Sequence, residues 1–254
     1  MKEKKQNHYG KLCTEMYEIL HDRAPLEELE FYLSYADKDK KILEPLCGSG
    51  RFLLPFMERG FCITGLDASE EMLGKLKSKA PAAHVIQADI AVYQTEEKYD
   101  YIFIPSGSVS LFTDMGLCKR VLHRFKEMMA PGGKLVFSVD TVANRRPDSS
   151  YETAASVKTK DGLDLILKNK NHYDEKTQTQ FSPGIYELYQ GSCILQRETM
   201  DFQIHLYRFG EIERVLSEVG FTEIKTYSSY DKKAAVDDTA DTFLIECIAP
   251  APAL

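Results

Sequence analysis

Ile42-Leu43-Glu44-Pro45-Leu46-Cys47-Gly48-Ser49-Gly50-Arg51-Phe52 is the stretch whose reading decides the fold. An apolar run ends in an acid, turns through two glycines and enters a segment with helical spacing. Gly48 and Gly50 let the backbone approach a ligand, and the amino end of a helix offers free N–H donors. The same turn also occurs with no ligand at all, so the loop alone does not define a site. It is not the dinucleotide fingerprint: counted from Gly48, G-x-G-x-x-G needs glycine at position 53, which is Leu53.

Further along the chain, short apolar runs alternate with helical stretches. The runs are Lys41–Leu46, Phe61–Leu66, Ala83–Ala88, Tyr99–Pro105 and Lys134–Asp140; the helix candidates between them are Arg51–Arg59, Glu70–Lys79 and Asp114–Met129. This alternation predicts an α/β fold, a mostly parallel sheet with helices on both faces. Pro131-Gly132-Gly133 reads as a helix end. Residues 1–40 read as a helical lid. Residues 151–207 break the rhythm. There Leu163–Tyr173, Ile185–Tyr189 and Met200–Tyr207 read as antiparallel strands, with Met200, Phe202, Ile204 and Leu206 on one face and Asp201, Gln203, His205 and Tyr207 on the other. The α/β pattern resumes over 208–254, with a helix at Phe209–Val219 and strands at Phe221–Tyr227 and Thr242–Ile248.

Two further acids fall where strands should end. Asp67 follows Gly50 by 17 residues and can accept hydrogen bonds from both hydroxyls of a ribose. A helix cap is the rival role, but Ser69 suits the cap better, with Met72 at the third helical position. Asp89 can accept the exocyclic amine of an adenine, with Ile90 and Met72 against the ring; separately, these are a loop acid and core residues.

Together these motifs resemble the class I, Rossmann-like S-adenosylmethionine-dependent methyltransferases. The resemblance runs through Glu44-x-x-Cys-Gly-x-Gly, Asp67, Asp89-Ile90, Tyr99-Asp100-Tyr101-Ile102-Phe103 and Ala130-Pro131-Gly132-Gly133, and is nearest in pattern to small-molecule N-methyltransferases. It implies a seven-stranded sheet with the last strand antiparallel, carried by 41–150 and 208–254. The insertion at 151–207 would be a substrate cap or a dimer interface. It also implies that Glu44, Gly48 and Gly50 face the methionine part of S-adenosylmethionine, with Cys47 and Arg51 among the cofactor-binding residues. Asp67 would hold the ribose, and Asp89 with Ile90 and Met72 the adenine; Ala68 and Pro105 are further cofactor-binding candidates. Cys47 stands where many members have glycine.

The acceptor side is less determined. The loop Ile104-Pro105-Ser106-Gly107-Ser108-Val109-Ser110 lacks the Asn/Asp-Pro-Pro-Tyr/Phe motif of amide and adenine methyltransferases. Ser106 and Ser110 can bond a substrate, or cap the next turn. Tyr9 can face a sulfonium or a substrate through its ring, or pack the lid; Tyr17 is a second such aromatic. Arg51 can meet the cofactor carboxylate, a substrate anion or a structural acid. His205, Arg197 and Tyr186 are candidate bases that could face the cleft or solvent.

Composition narrows the partners. The 254 residues carry a formal net charge of −7, with 43% hydrophobic residues. An acidic chain lacks the basic field that draws nucleic acid, so a small-molecule acceptor on nitrogen or oxygen is expected, in a monomer or homodimer. No C-x-x-C pair or Cys/His cluster suggests a metal. The six cysteines read as buried thiols of a reducing compartment. No apolar run spans a bilayer and no secretory segment opens the chain, which makes the cytoplasm the expected location. A silent S-adenosylmethionine-binding protein and a nicotinamide-dependent oxidoreductase are the competing readings.

Overall fold

The computed structural model describes residues 7–251. Two lid helices come first, α1 (Lys11–Leu20) and α2 (Leu26–Leu33). The alternating region follows: β1 (Lys41–Pro45), α3 (Leu53–Glu58), β2 (Cys62–Asp67), α4 (Glu70–Lys79), β3 (Val85–Gln87), β4 (Tyr99–Ile104), α5 (Met115–Met128) and β5 (Met129–Asp140). Seven short strands fill the insertion: β6 (Glu152–Lys158), β7 (Asp164–Asn169), β8 (His172–Asp174), β9 (Thr179–Phe181), β10 (Gly184–Gln190), β11 (Cys193–Met200) and β12 (Gln203–His205). The chain closes with α6 (Glu211–Val219), β13 (Thr222–Tyr227) and β14 (Thr242–Ile248).

The main sheet has the order β13-β14-β5-β4-β1-β2-β3. β1 runs parallel to β2 and β4, and β4 parallel to β5, whereas β14 is antiparallel to both β5 and β13. The strand order reverses between β1 and β4, which opens a crevice at their carboxyl ends where ligands of such sheets bind. The apolar faces explain the layers. Leu43, Ile102, Ile104, Leu135 and Phe137 pack on Val121, Leu122 and Phe125 of α5 on one side. Ile42, Phe103 and Val136 pack on Phe31, Tyr32, Leu53 and Phe56 on the other.

Three details differ from the sequence reading. Pro131-Gly132-Gly133 lies inside β5, not at a helix end: α5 stops at Met128, and the strand takes up an irregular first turn with Gly132 at φ +77°. His205 and Tyr207, placed on a polar face, are buried, because the Gln203–His205 strand is covered by α6 and the main core. Cys62 and Cys193 are exposed, so only four of the cysteines are buried thiols. Among the described residues, no helix is long and apolar enough to cross a membrane.

The insertion forms a four-stranded antiparallel sheet, β11-β10-β7-β6, and a three-stranded one, β12-β9-β8. α1 rests on the larger sheet, with Leu12, Cys13 and Met16 packed against Leu165, Tyr186 and Met200.

Candidate active site

At the end of β1 the backbone turns sharply, with positive φ at Leu46, Gly48 and Gly50. A Cβ on Gly48 would have only Met72 Sδ within 4 Å, at 3.9 Å, so its backbone stays open to a ligand. Three buried polar atoms around this loop have no hydrogen-bond partner: Glu44 Oε2, Ser49 Oγ and Arg51 Nε. Burial holds the Glu44 carboxyl well above the usual carboxylate range, although the Arg51 guanidinium pulls it back. Cys47 does not line the loop with its side chain. Its Sγ turns inward, beneath the loop and against Gly65, and only its backbone is left for a ligand.

Asp67 clasps the loop from β2. Its Oδ2 accepts the Gly48 N–H at 2.8 Å and its Oδ1 accepts the Ser69 N–H at 2.8 Å. Ser69 is the α4 cap, accepting the Met72 N–H at 3.1 Å. Asp67 is therefore not free, although each carboxylate oxygen keeps a second lone pair. Burial raises its pKa despite these donors. Ala68 beside it is exposed. Asp89 is exposed and forms a local turn, Oδ1 accepting the Ala91 N–H at 2.9 Å, and Oδ2 has no partner among the described residues. Ile90 and Met72 are buried.

The loop after β4 is held from both sides. Ser106 has φ +58°, and its N–H donates to Glu28 Oε1 of α2 at 2.8 Å. Its exposed hydroxyl bonds the Arg51 guanidinium. Pro105 is buried, and its carbonyl accepts the Ser108 hydroxyl at 3.0 Å. Ser110 is fully buried, and its Oγ accepts the Asp140 N–H at 2.8 Å; it braces β5 and offers no group to the crevice.

Next to this crevice is a cavity of about 320 Å³ between α1 and the larger antiparallel sheet. Tyr9, Tyr17, His21, Arg146, Tyr186 and Phe202 are among its walls. Tyr9 joins it to the glycine loop: its carbonyl accepts the Ser69 hydroxyl at 3.1 Å, and burial pushes its phenol upward. Tyr17, with Arg51 5.6 Å from its ring centroid, is as well placed as Tyr9. A larger cleft of about 450 Å³, lined by residues such as Tyr93, Lys98 and Arg124, lies at the amino end of β4, away from this chemistry.

The candidate bases lie elsewhere. His205 is buried between Glu211 Oε1 (2.9 Å) and the Thr177 carbonyl (3.1 Å), facing neither cleft nor solvent. Arg197 pairs with Glu187 on the antiparallel sheet. Of the three, only Tyr186 reaches the cavity wall. Sequence reasoning missed Glu28, Asp140 and Arg146, because no local motif marks them.

Residues 42–133 match a family described as methyltransferase domain. A protein of Geobacillus sp. (strain WCH70), provisionally assigned as a methyltransferase, is 22% identical over 90% of this chain and 95% of its own. Among solved structures, the fold is similar to the CcbJ methyltransferase from Streptomyces caelestis (TM-score 0.75, 18% identity, 98% of this chain and 100% of that one). It is also similar to the sugar N-methyltransferase KedS8 from Streptoalloteichus sp. ATCC 53650 (TM-score 0.74, 16% identity, 99% of each chain). Sheet order and glycine loop define a Rossmann-like fold, and residues 42–133 within it are similar to a methyltransferase domain.

Proposed function

We propose that this enzyme methylates a nitrogen or oxygen of a small molecule held in the cavity between α1 and the antiparallel sheet. The observation that carries the reading is the set of unpartnered buried atoms at the glycine loop, Glu44 Oε2, Ser49 Oγ and Arg51 Nε. Unsatisfied buried polar groups in a native fold call for a ligand. An ammonium answers Glu44 and a carboxylate answers Arg51, and the amino-acid end of S-adenosylmethionine carries both. On this reading Glu44, Gly48 and Arg51 hold that end. Asp67, with its spare lone pairs, and Ala68 take the ribose. Asp89, Ile90 and Met72 take the adenine.

The cofactor supplies an electrophilic methyl on a sulfonium; the chain's task is to align the acceptor and keep water out. Tyr9 and Tyr17 present aromatic faces to the region where positive charge is handled. The cavity volume is at the small end of the range for small-molecule sites, which supports a compact acceptor. The similarity to a sugar N-methyltransferase supports nitrogen. Of the described residues, 7–40 and 151–207 are then the lid and cap over a cofactor domain of 41–150 and 208–251; 1–6 and 252–254 lie outside the described residues.

Calorimetric titration with S-adenosylmethionine, S-adenosylhomocysteine and NADH tests the cofactor half. Micromolar binding of the first two and none of the third is expected. Failure of both adenosyl ligands would overturn it. Binding without turnover across amine and alcohol acceptors would leave a silent cofactor-binding protein.

A further inference from the structure

The carboxylate that ends β5 has no part in the reading above, yet the fold makes room for it. Gly107 has φ +68°, and a Cβ there would overlap Asp140 Oδ2. Ser110 Oγ holds the Asp140 N–H from below, and Asn144 Nδ2 donates to Oδ1 at 3.0 Å. Among the described residues Oδ2 has no hydrogen-bond partner, and Asp140 keeps part of its surface open. Asp140 also has a defined position between two regions. On one side is the β4 loop, where the Ser106 hydroxyl meets Arg51 of the glycine loop. On the other is Arg146, a wall of the cavity, whose charge acts on Asp140. The carboxylate thus lies against Gly107 of the β4 loop and within the field of Arg146 on the cavity wall.

We propose that Asp140 Oδ2 receives the acceptor's nitrogen, so that the acceptor is an amine. This deepens the methyltransferase reading and rests on it. The amine docks as an ammonium, releases a proton to solvent, and then donates a remaining N–H to Oδ2, which turns its lone pair toward the methyl group. The lone pair forms the new N–C bond, the C–S electron pair returns to sulfur, and the positive charge moves from sulfur to nitrogen. The product is an N-methylated ammonium, and no proton has to move during the transfer. A fixed carboxylate beside the nitrogen stabilises the charge as it develops.

Burial pushes the Asp140 carboxyl up to about 6, with Asn144 and Arg146 opposing. The other charged or titratable groups on the elements packed around it are Arg51 and Glu28, which meet at Ser106, Asp241 beside its β14 neighbour Thr242, and Tyr207, whose N–H donates to its carbonyl. Because the folded carboxyl titrates near neutrality, the site holds its charge above about pH 6 and loses it below.

The test titrates cyclohexylamine and its alcohol isostere, cyclohexanol, into protein saturated with S-adenosylhomocysteine. Wild type is expected to bind the amine, an ammonium near pH 8 that pairs with the ionised carboxylate, at least about tenfold more tightly than the alcohol, and to lose the preference near pH 5. Asp140→Asn preserves the acceptor for Asn144. It is expected to bind S-adenosylhomocysteine as wild type does, yet show no amine preference. The same preference in both proteins, or none in wild type, would overturn the proposal while sparing the cofactor reading. Loss of S-adenosylhomocysteine binding by wild type would overturn both.

Discussion

A carboxylate that accepts two backbone N–H groups holds a loop and can still accept from a ligand; Asp67 does the first in this structure. Asp67→Ala should therefore have two effects. Leaving the Gly48 and Ser69 donors unpaired should lower stability by about 1–3 kcal/mol, and S-adenosylhomocysteine affinity should fall by about tenfold or more. Denaturant unfolding and calorimetry read them separately, and unchanged affinity would remove Asp67 from the ribose site. Glu44 adds a pH signature. Burial holds its folded pKa well above the usual carboxylate range, so the free protein keeps a proton there that the unfolded chain would release. Stability should then decline as pH rises from about 4.5 toward the folded pKa, and Glu44→Gln should flatten that decline. An ammonium bound to Glu44 lowers the pKa again, so cofactor binding should release a proton and strengthen with pH. Calorimetry in buffers of different ionisation enthalpy checks this; no proton release would take the ammonium away from Glu44. At this scale the sequence marks Glu44, Gly48, Asp67 and Asp89 as candidates, because each sits in a local strand-end motif. It could not reveal Asp140 or Glu28, whose roles depend on Gly107 and Ser106, remote in the chain and brought near only by the folded sheet.

Ten residues make a helix too short to persist alone, and α1 has no side-chain cap at Gly10. Its exposed donors are met from another element: Glu198 of β11 accepts the Leu12 and Cys13 N–H groups at 3.0 and 3.1 Å. A carboxylate there also suits the helix dipole. Glu198→Ala should raise hydrogen-exchange rates of the α1 amides by about tenfold or more while the core of the main sheet keeps its protection. Equal loss in both would mean that α1 is not a separately opening unit. The elements were legible in proportion to their periodicity. α4 and β14 have the boundaries that their sequence pattern predicts, since each shows one face to the core. β6 and β11 were passed over, because their polar, mostly exposed residues give no apolar alternation. The phase of Gln203–His205 misled because His205 finds buried partners in Glu211 and Thr177, a long-range satisfaction that hydropathy cannot register.

At the scale of the whole molecule, the question is whether the antiparallel sheets belong to the cofactor domain or only cover it. Two features favour a cover. The larger sheet has its own apolar cluster, shared with α1, while the main core draws its residues from the seven-stranded sheet and its helices. The bonds that join the two ends of the insertion to the main sheet, such as the Val142 N–H to the Tyr207 carbonyl and the Tyr207 N–H to the Asp140 carbonyl, lie outside Glu152–Met200. Replacing Glu152–Met200 with a short glycine-serine linker should therefore leave a cooperatively unfolding domain that binds S-adenosylhomocysteine within about tenfold of the full chain. The same variant loses the Tyr186 and Met200 walls of the cavity and the Glu198 seat of α1, so it should no longer bind cyclohexylamine in preference to cyclohexanol. Denaturant unfolding and the two titrations separate the cases. If the shortened chain folds but cannot hold the adenosyl ligand, the lid residues around Tyr9 depend on the cap to complete the cofactor site. If it keeps the amine preference, the acceptor enters from the main-sheet side and the cavity under α1 has another use.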